Sequence, residues 1–133
     1  MKKARILLVE DELILRKNLM RFLRRTGHEV ACAGDSDAAL VLLKQQPFDI
    51  LITDLVLPNG DVFALMVEAK RTAVRIIVMT AYGSPQIEET LRAVGVFAYL
   101  EKPLRLETLL CTVEKALIER VPGQASHRFP SMS

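Results

Sequence analysis

Five short runs rich in β-branched and aliphatic residues, at about 5–10, 29–33, 49–54, 74–80 and 96–101, alternate with five segments of helical periodicity. Three of the runs, RILLVE, DILITD and VRIIVMT, are almost continuously apolar. A strand with one face in water alternates polar and apolar residues, so these runs predict strands covered by helices on both sides. Between the runs, Leu15, Leu19, Phe22 and Leu23 form one stripe at helical spacing, and Val62, Leu65, Met66 and Ala69 form another. Leu106, Leu109, Leu110, Val113 and Leu117 form the last. Strands alternating with amphipathic helices predict repeated βα units around a parallel sheet, a doubly wound α/β architecture.

Turn chemistry divides the chain at the same places. Gly27 follows the first helical run, Ser84-Pro85 supplies a cap followed by a first-turn proline, and Pro58-Asn59-Gly60-Asp61 is a strong turn signal. Beyond about residue 120 the segment VPGQASHRFPSMS has no periodicity. It reads as a flexible tail or the start of a linker (121–133) after one domain over 1–120. With 133 residues, half of them hydrophobic, the chain suffices for one packed core and not for two ordinary domains.

Charge and special residues narrow the classes. The formal net charge is +2 with acids and bases interspersed, which argues against direct nucleic-acid binding by this chain. No apolar run reaches the roughly 18 to 20 residues of a membrane span, and Met-Lys-Lys leads straight into a strand-like run. A soluble, cytoplasmic protein is therefore expected. Cys32 and Cys111 lie in apolar stretches and read as small buried hydrophobes, and His28 and His127 lack metal-ligand spacing.

In open parallel sheets, chemistry collects beyond the carboxyl ends of the strands. Glu10, Asp11 and Glu12 follow the first run, Asp54 ends the third, Thr80 ends the fourth and Lys102 follows the fifth. Singly each has an ordinary role: a helix cap for Asp11, a turn for Asp54, a backbone contact for Thr80, a solvated end for Lys102. Together they need compensation, because two carboxylates about 5 Å apart repel by roughly 3 kcal/mol at an effective dielectric of 20. A divalent ion and Lys102 would supply it. An oxygen-only donor set suits a hard cation such as Mg2+. The same groups suit phosphoryl transfer, with Asp54 as nucleophile and the Thr80 hydroxyl as a donor to a phosphoryl oxygen.

The segments VEDE, ITDLVLPNGD, VMTAYGS and AYLEKP, in that order and at those strand ends, resemble the receiver domains of two-component response regulators over about residues 4 to 120. The resemblance implies a flavodoxin-like sheet in the order 2-1-3-4-5 with helices on both faces. It implies that Asp54 is the phosphoacceptor and that Asp11 binds Mg2+ directly. Glu10 would act through water, and the Val56 backbone carbonyl would complete the protein's share of the shell. Thr80 becomes the switch hydroxyl, Tyr99 the switch aromatic that turns from solvent toward the core, and Lys102 the phosphate-pairing lysine before a cis Lys102-Pro103 bond. The implied donor is a histidine kinase, a phosphotransfer protein or a small phosphodonor, and the implied target is an effector domain or another protein. A homodimer formed on phosphorylation through the fourth helix, fifth strand and fifth helix belongs to the same expectation. Such a receiver assists its own phosphorylation and dephosphorylation and is otherwise no enzyme.

Three positions depart from the common receiver pattern. Val62 stands where glycine is usual, so the loop after Asp54 needs another backbone geometry or bears strain. Glu10 replaces an aspartate, and its extra methylene can carry that carboxylate outward relative to the ion. Val56 and Tyr82, two residues after Asp54 and Thr80, carry no side chain that orients a hydrolytic water, which implies a long-lived phosphoryl group. Competing classes fit less well. An aspartate-nucleophile phosphohydrolase would resemble its family by an Asp-x-Asp pair after the first strand, where this chain has Glu10-Asp11-Glu12. A flavin carrier would need a Ser/Thr/Gly-rich phosphate loop there. A degenerate receiver that only docks is disfavoured by the complete acceptor set. The segment VEDELILRKNLMRFL and the tail resemble receivers of multidomain transcription regulators, so both a single-domain regulator and a piece of a longer protein fit.

Overall fold

A computed structural model describes residues 3–118. Its elements run β1 (Arg5–Val9), α1 (Leu13–Arg25), β2 (Glu29–Ala33), α2 (Ser36–Gln45), β3 (Ile50–Asp54), α3 (Val62–Arg71), β4 (Arg75–Thr80), α4 (Pro85–Val94), β5 (Ala98–Glu101) and α5 (Leu106–Ile118). The five strands form one parallel sheet in the order β2-β1-β3-β4-β5. Both the doubly wound architecture and the expected strand order are therefore present. The 121–133 segment and His127 lie outside the described residues.

Alternation along the strands sorts the core onto the two faces of the sheet. Ile6, Leu8, Ile50, Ile52, Ile77 and Met79 pack with Leu19 and Leu23 of α1 and with Leu109, Val113, Ala116 and Leu117 of α5. Leu7, Val9, Leu51 and Val78 pack on the opposite face with Ala39 and Leu43 of α2, Leu65, Met66 and Ala69 of α3, and Leu91 of α4. Burying a large aliphatic side chain is worth about 1.5–3 kcal/mol, so these two layers dominate the stability. The stripes hold with their edges less covered than their centres: Leu15, Phe22, Val62 and Leu110 are only partly buried, and Leu106 opens to solvent at the start of α5.

The caps set where each helix leaves the sheet. Asp35 accepts from Ala38 N–H, Asp61 from Phe63 N–H and Ser84 from Ile87 N–H, with Pro85 in the first turn of α4. The loop after Asp54 resolves the Val62 question through a different backbone geometry. Asn59 (φ 51°) and Gly60 (φ 96°) take the left-handed conformations, so Val62 simply starts α3. The backbone N–H groups of Ser36 and Asp37 donate to the Asn59 carbonyl at 3.1 and 3.2 Å, tying this loop to the start of α2.

One cysteine expectation is corrected. Cys111 is exposed, because Leu109, Val113 and Ala116 already occupy the inward face of α5; Cys32 is partly buried, and both thiols are free. His28 is structural: it is buried, and its Nδ1 accepts the Ala4 N–H at 3.0 Å. No helix among the described residues is long and apolar enough to cross a membrane.

Candidate functional site at the carboxyl edge of the sheet

Parallel strands in register all end at one edge, and the pairings Val9↔Thr53, Asp54↔Met79 and Thr80↔Glu101 bring the polar strand ends together there. Glu10 is 1% exposed and Asp54 6%, whereas Asp11 faces solvent. Carboxylate oxygens of Glu10, Asp11 and Asp54 lie within 4.8 Å of one another. Lys102 enters from β5, where its own N–H donates to the Thr80 carbonyl at 2.9 Å and a cis bond leads to Pro103. Its ammonium donates to Glu10 Oε1 at 2.6 Å and to Asp54 Oδ2 at 2.5 Å.

The other carboxylate oxygens of Glu10 and Asp54 are also engaged. Glu10 Oε2 accepts from Glu12 N–H and Asp54 Oδ1 from Val56 N–H, both at 3.0 Å. Glu10 does not turn its longer side chain to solvent; it uses the added reach to span to Lys102. Burial raises the Glu10 pKa above the usual carboxylate range, against the opposing pull of Lys102 and the Glu12 amide. Burial alone would depress the Lys102 ammonium, but hydrogen bonds to Asp54 and Glu10 outweigh it and raise its pKa. When ionised, three carboxylates against one ammonium leave two negative charges uncompensated. An all-oxygen cluster with that residual charge and an exposed acid at its mouth fits a hard divalent cation.

Thr80 is buried at the end of β4, and its Oγ accepts from Tyr82 N–H at 3.0 Å. A hydroxyl that accepts still has its own proton to donate. Tyr99 departs from the expected starting position: its ring is 7% exposed and already inside, packed with the α2, α3 and α4 layer. Gly83 makes the room, since a Cβ there would lie 1.5 Å from Tyr99 Oη. Val56 and Tyr82 are exposed on the two loops that follow Asp54 and Thr80.

A sequence profile of the response regulator receiver domain matches residues 6–114. The chain belongs to the response-regulator receiver family. It is 34% identical over 116 residues to the transcriptional regulatory protein PdtaR of Mycobacterium tuberculosis, covering 85% of this chain and 56% of that protein. It is 34% identical over 140 residues to the DNA-binding transcriptional regulator NtrC of Azospirillum brasilense, covering 98% and 29%. This receiver thus spans about half or less of the curated relatives it matches.

Among solved structures it resembles the chemotaxis response regulator CheY4 of Vibrio cholerae (30% identity, TM-score 0.76, covering 86% of this chain and 99% of that one). A response regulator of Burkholderia pseudomallei, solved with a phosphorylated aspartic acid, a calcium ion and citrate, is 28% identical with a TM-score of 0.76, covering 86% and 69%.

All the expected side chains except Tyr99 converge on this one edge, and Tyr99 sits on the neighbouring strand beneath the loop that follows Thr80. Two participants were missed. Arg16 of α1 donates through Nη1 to the Glu10 carbonyl at 2.8 Å, and Gly83 shapes the tyrosine niche. The charge of Arg16 in the first turns of a helix is a readable oddity, but its partner is not. Gly83 sits inside the VMTAYGS segment without any turn that demands glycine.

Proposed function

We propose that this receiver is a phosphorylation switch in which Asp54 accepts a phosphoryl group with the help of Mg2+. The observation that carries the reading is the shared Lys102 ammonium, held between Asp54 and Glu10 inside a cluster that keeps a net negative charge. A carboxylate oxygen of Asp54 attacks the phosphorus of a phosphohistidine in line. The bond to the donor nitrogen breaks, and the freed imidazole takes up a proton. Lys102 stands beside the attacked centre and pairs with an oxygen of the incoming group, and Thr80 donates its hydroxyl to another. Asp11, with the Val56 carbonyl and Asp54, would hold Mg2+, and Glu10 would act through water. Mg2+ held there would supply charge neutralisation for the phosphoryl oxygens.

A phosphorylated Asp54 draws Thr80 inward and stabilises the packing with Tyr99 inside, altering the face of α4, β5 and α5. That face would engage an effector domain, a target protein or a second copy of the chain. The chain acts in the cytoplasm, its donor is a histidine kinase, a phosphotransfer protein or a small phosphodonor, and transcriptional control is the output favoured by the relatives. Intact mass spectrometry after treatment with acetyl phosphate and Mg2+ tests the reading. One phosphoryl adduct is expected, reduced without Mg2+ and absent in a folded Asp54→Ala variant; an undiminished adduct in that variant rejects the site.

A further inference from the structure

Arg16 is the fourth residue of α1, one turn after the N-cap Glu12. A helix N-terminus carries partial positive charge, which the N-cap Glu12, four residues before Arg16, partly offsets. The reason for a cation at that place is tertiary: Nη1 donates to the main-chain carbonyl of Glu10 at 2.8 Å.

Glu10 is otherwise fixed from three sides. Its N–H donates to the Ala33 carbonyl at 3.1 Å, and its two carboxylate oxygens go to Lys102 and to Glu12 N–H. The carbonyl belongs to the planar peptide that joins Glu10 to Asp11, so its direction sets the plane from which the Asp11 side chain departs. Without the guanidinium, that peptide can rotate and carry Asp11 away from Asp54.

A second feature supports the contact. A Cβ on Gly34, just past β2, would lie 2.9 Å from Arg16 Nη1. The φ of Gly34 is outside the left-handed range, so the backbone does not require glycine; a Cβ there would press on the flexible end of Arg16 and make it shift.

We propose that Arg16 is a positioning residue for the Mg2+ site, orienting the Glu10-Asp11 peptide through its carbonyl. The proposal rests on reading this edge as the cation site. Charge alone predicts the opposite effect, because removing a nearby positive group should strengthen binding of a divalent cation.

Calorimetric titration of the full chain with MgCl2 tests it, with urea unfolding measured alongside. Arg24 serves as the control, since its Nη2 donates to the Val30 carbonyl at 2.9 Å from the far end of the same helix. Arg16→Met and Arg24→Met each lose one arginine-to-carbonyl bond. Only Arg16→Met is expected to weaken Mg2+ binding, by about tenfold, the lower end for groups that orient a ligand. Gly34→Ala, which crowds the guanidinium without removing its charge, should weaken binding in the same direction. It also carries the test if Arg16→Met does not fold. Unchanged or tighter binding in Arg16→Met, or in Gly34→Ala where that variant stands in for it, overturns the proposal. So does equal weakening in Arg24→Met. If the wild-type chain binds no Mg2+, the cation-site reading itself fails and the role of Arg16 falls with it; normal wild-type binding with insensitive variants sinks the Arg16 role alone.

Discussion

Replacing Gly83 by alanine perturbs one contact in a backbone that accepts the change. The φ at Gly83 is not left-handed, yet the new methyl would stand 1.5 Å from Tyr99 Oη and 2.8 Å from Cζ, so the ring must leave its niche. A tyrosine buries about 200 Å2, and exposing half of it at about 25 cal/mol per Å2 costs about 2.5 kcal/mol. Partial repacking on the surface brings the expected loss to about 2 kcal/mol. In a Tyr99→Leu background, which lacks the hydroxyl end of the ring, the same alanine should cost less than about 0.5 kcal/mol, giving a coupling of about 1.5 kcal/mol in a double-mutant cycle. The chain has two tyrosines and no tryptophan, so Tyr82→Phe leaves Tyr99 as its sole tyrosine fluorophore. Burial raises the Tyr99 pKa, helped by Glu101 and Glu88 and opposed by a hydrogen bond from the Ser84 backbone. Gly83→Ala should therefore lower its absorbance-monitored titration toward the free value of about 10 and open the ring to acrylamide quenching. An unchanged titration with continued protection from acrylamide would refute the steric argument. Under the proposed switch, the variant still accepts phosphate on Asp54 but no longer buries the ring on doing so.

Three other perturbations test separate parts of the structure. Burial lowers the His28 pKa, partly offset by Glu114, so the unfolded chain takes up the proton first. The stabilising contribution is whole above the unfolded value of about 6.5 and is lost as pH falls toward the folded one. Urea unfolding at pH 7.5 and pH 5 should show wild type losing about 1 kcal/mol more than His28→Leu, since protonated Nδ1 can no longer accept from Ala4; parallel losses would contradict this. Lys102→Met leaves Glu10 and Asp54 facing without a cation, and partial solvent access limits the cost to about 1 to 3 kcal/mol. The loss should shrink as pH falls, because burial favours the neutral form of Glu10, and should shrink on adding Mg2+; thermal melts insensitive to both would count against the electrostatic account. Val56→Asn with Tyr82→Glu places polar groups on the two exposed loops beside Asp54 and Thr80. It should shorten the phosphoryl lifetime by about tenfold or more, and an unchanged decay of the mass-detected adduct would remove the water-orienting argument.

What could be read before the structure and what could not divide along a physical line. Periodicity reports which side of an element is apolar, so the two layers built on Leu19 and Leu23 or on Leu65, Met66 and Ala69 were legible, and so was the shared edge where parallel strands end. Val62 was an anomaly that depended on neighbours, because Asn59 and Gly60 could take the left-handed positions in its place. Cys111 misled because hydrophobic surroundings in sequence do not say which way a helical residue points; its neighbours Leu109 and Val113 had already claimed the inward face. Tyr99 and Arg16 lay further out of reach. Whether a tyrosine stands in or out depends on a missing methyl sixteen residues earlier at Gly83, and the partner of Arg16 is a main-chain carbonyl, which every residue possesses and which therefore leaves no trace in composition or spacing. The side chains gathered at this edge were legible because they are distinctive, whereas their alignment rests on glycine vacancies and peptide orientation. Alignment is the part that a substitution outside the recognised motif segments, such as one at Gly34, should disturb first.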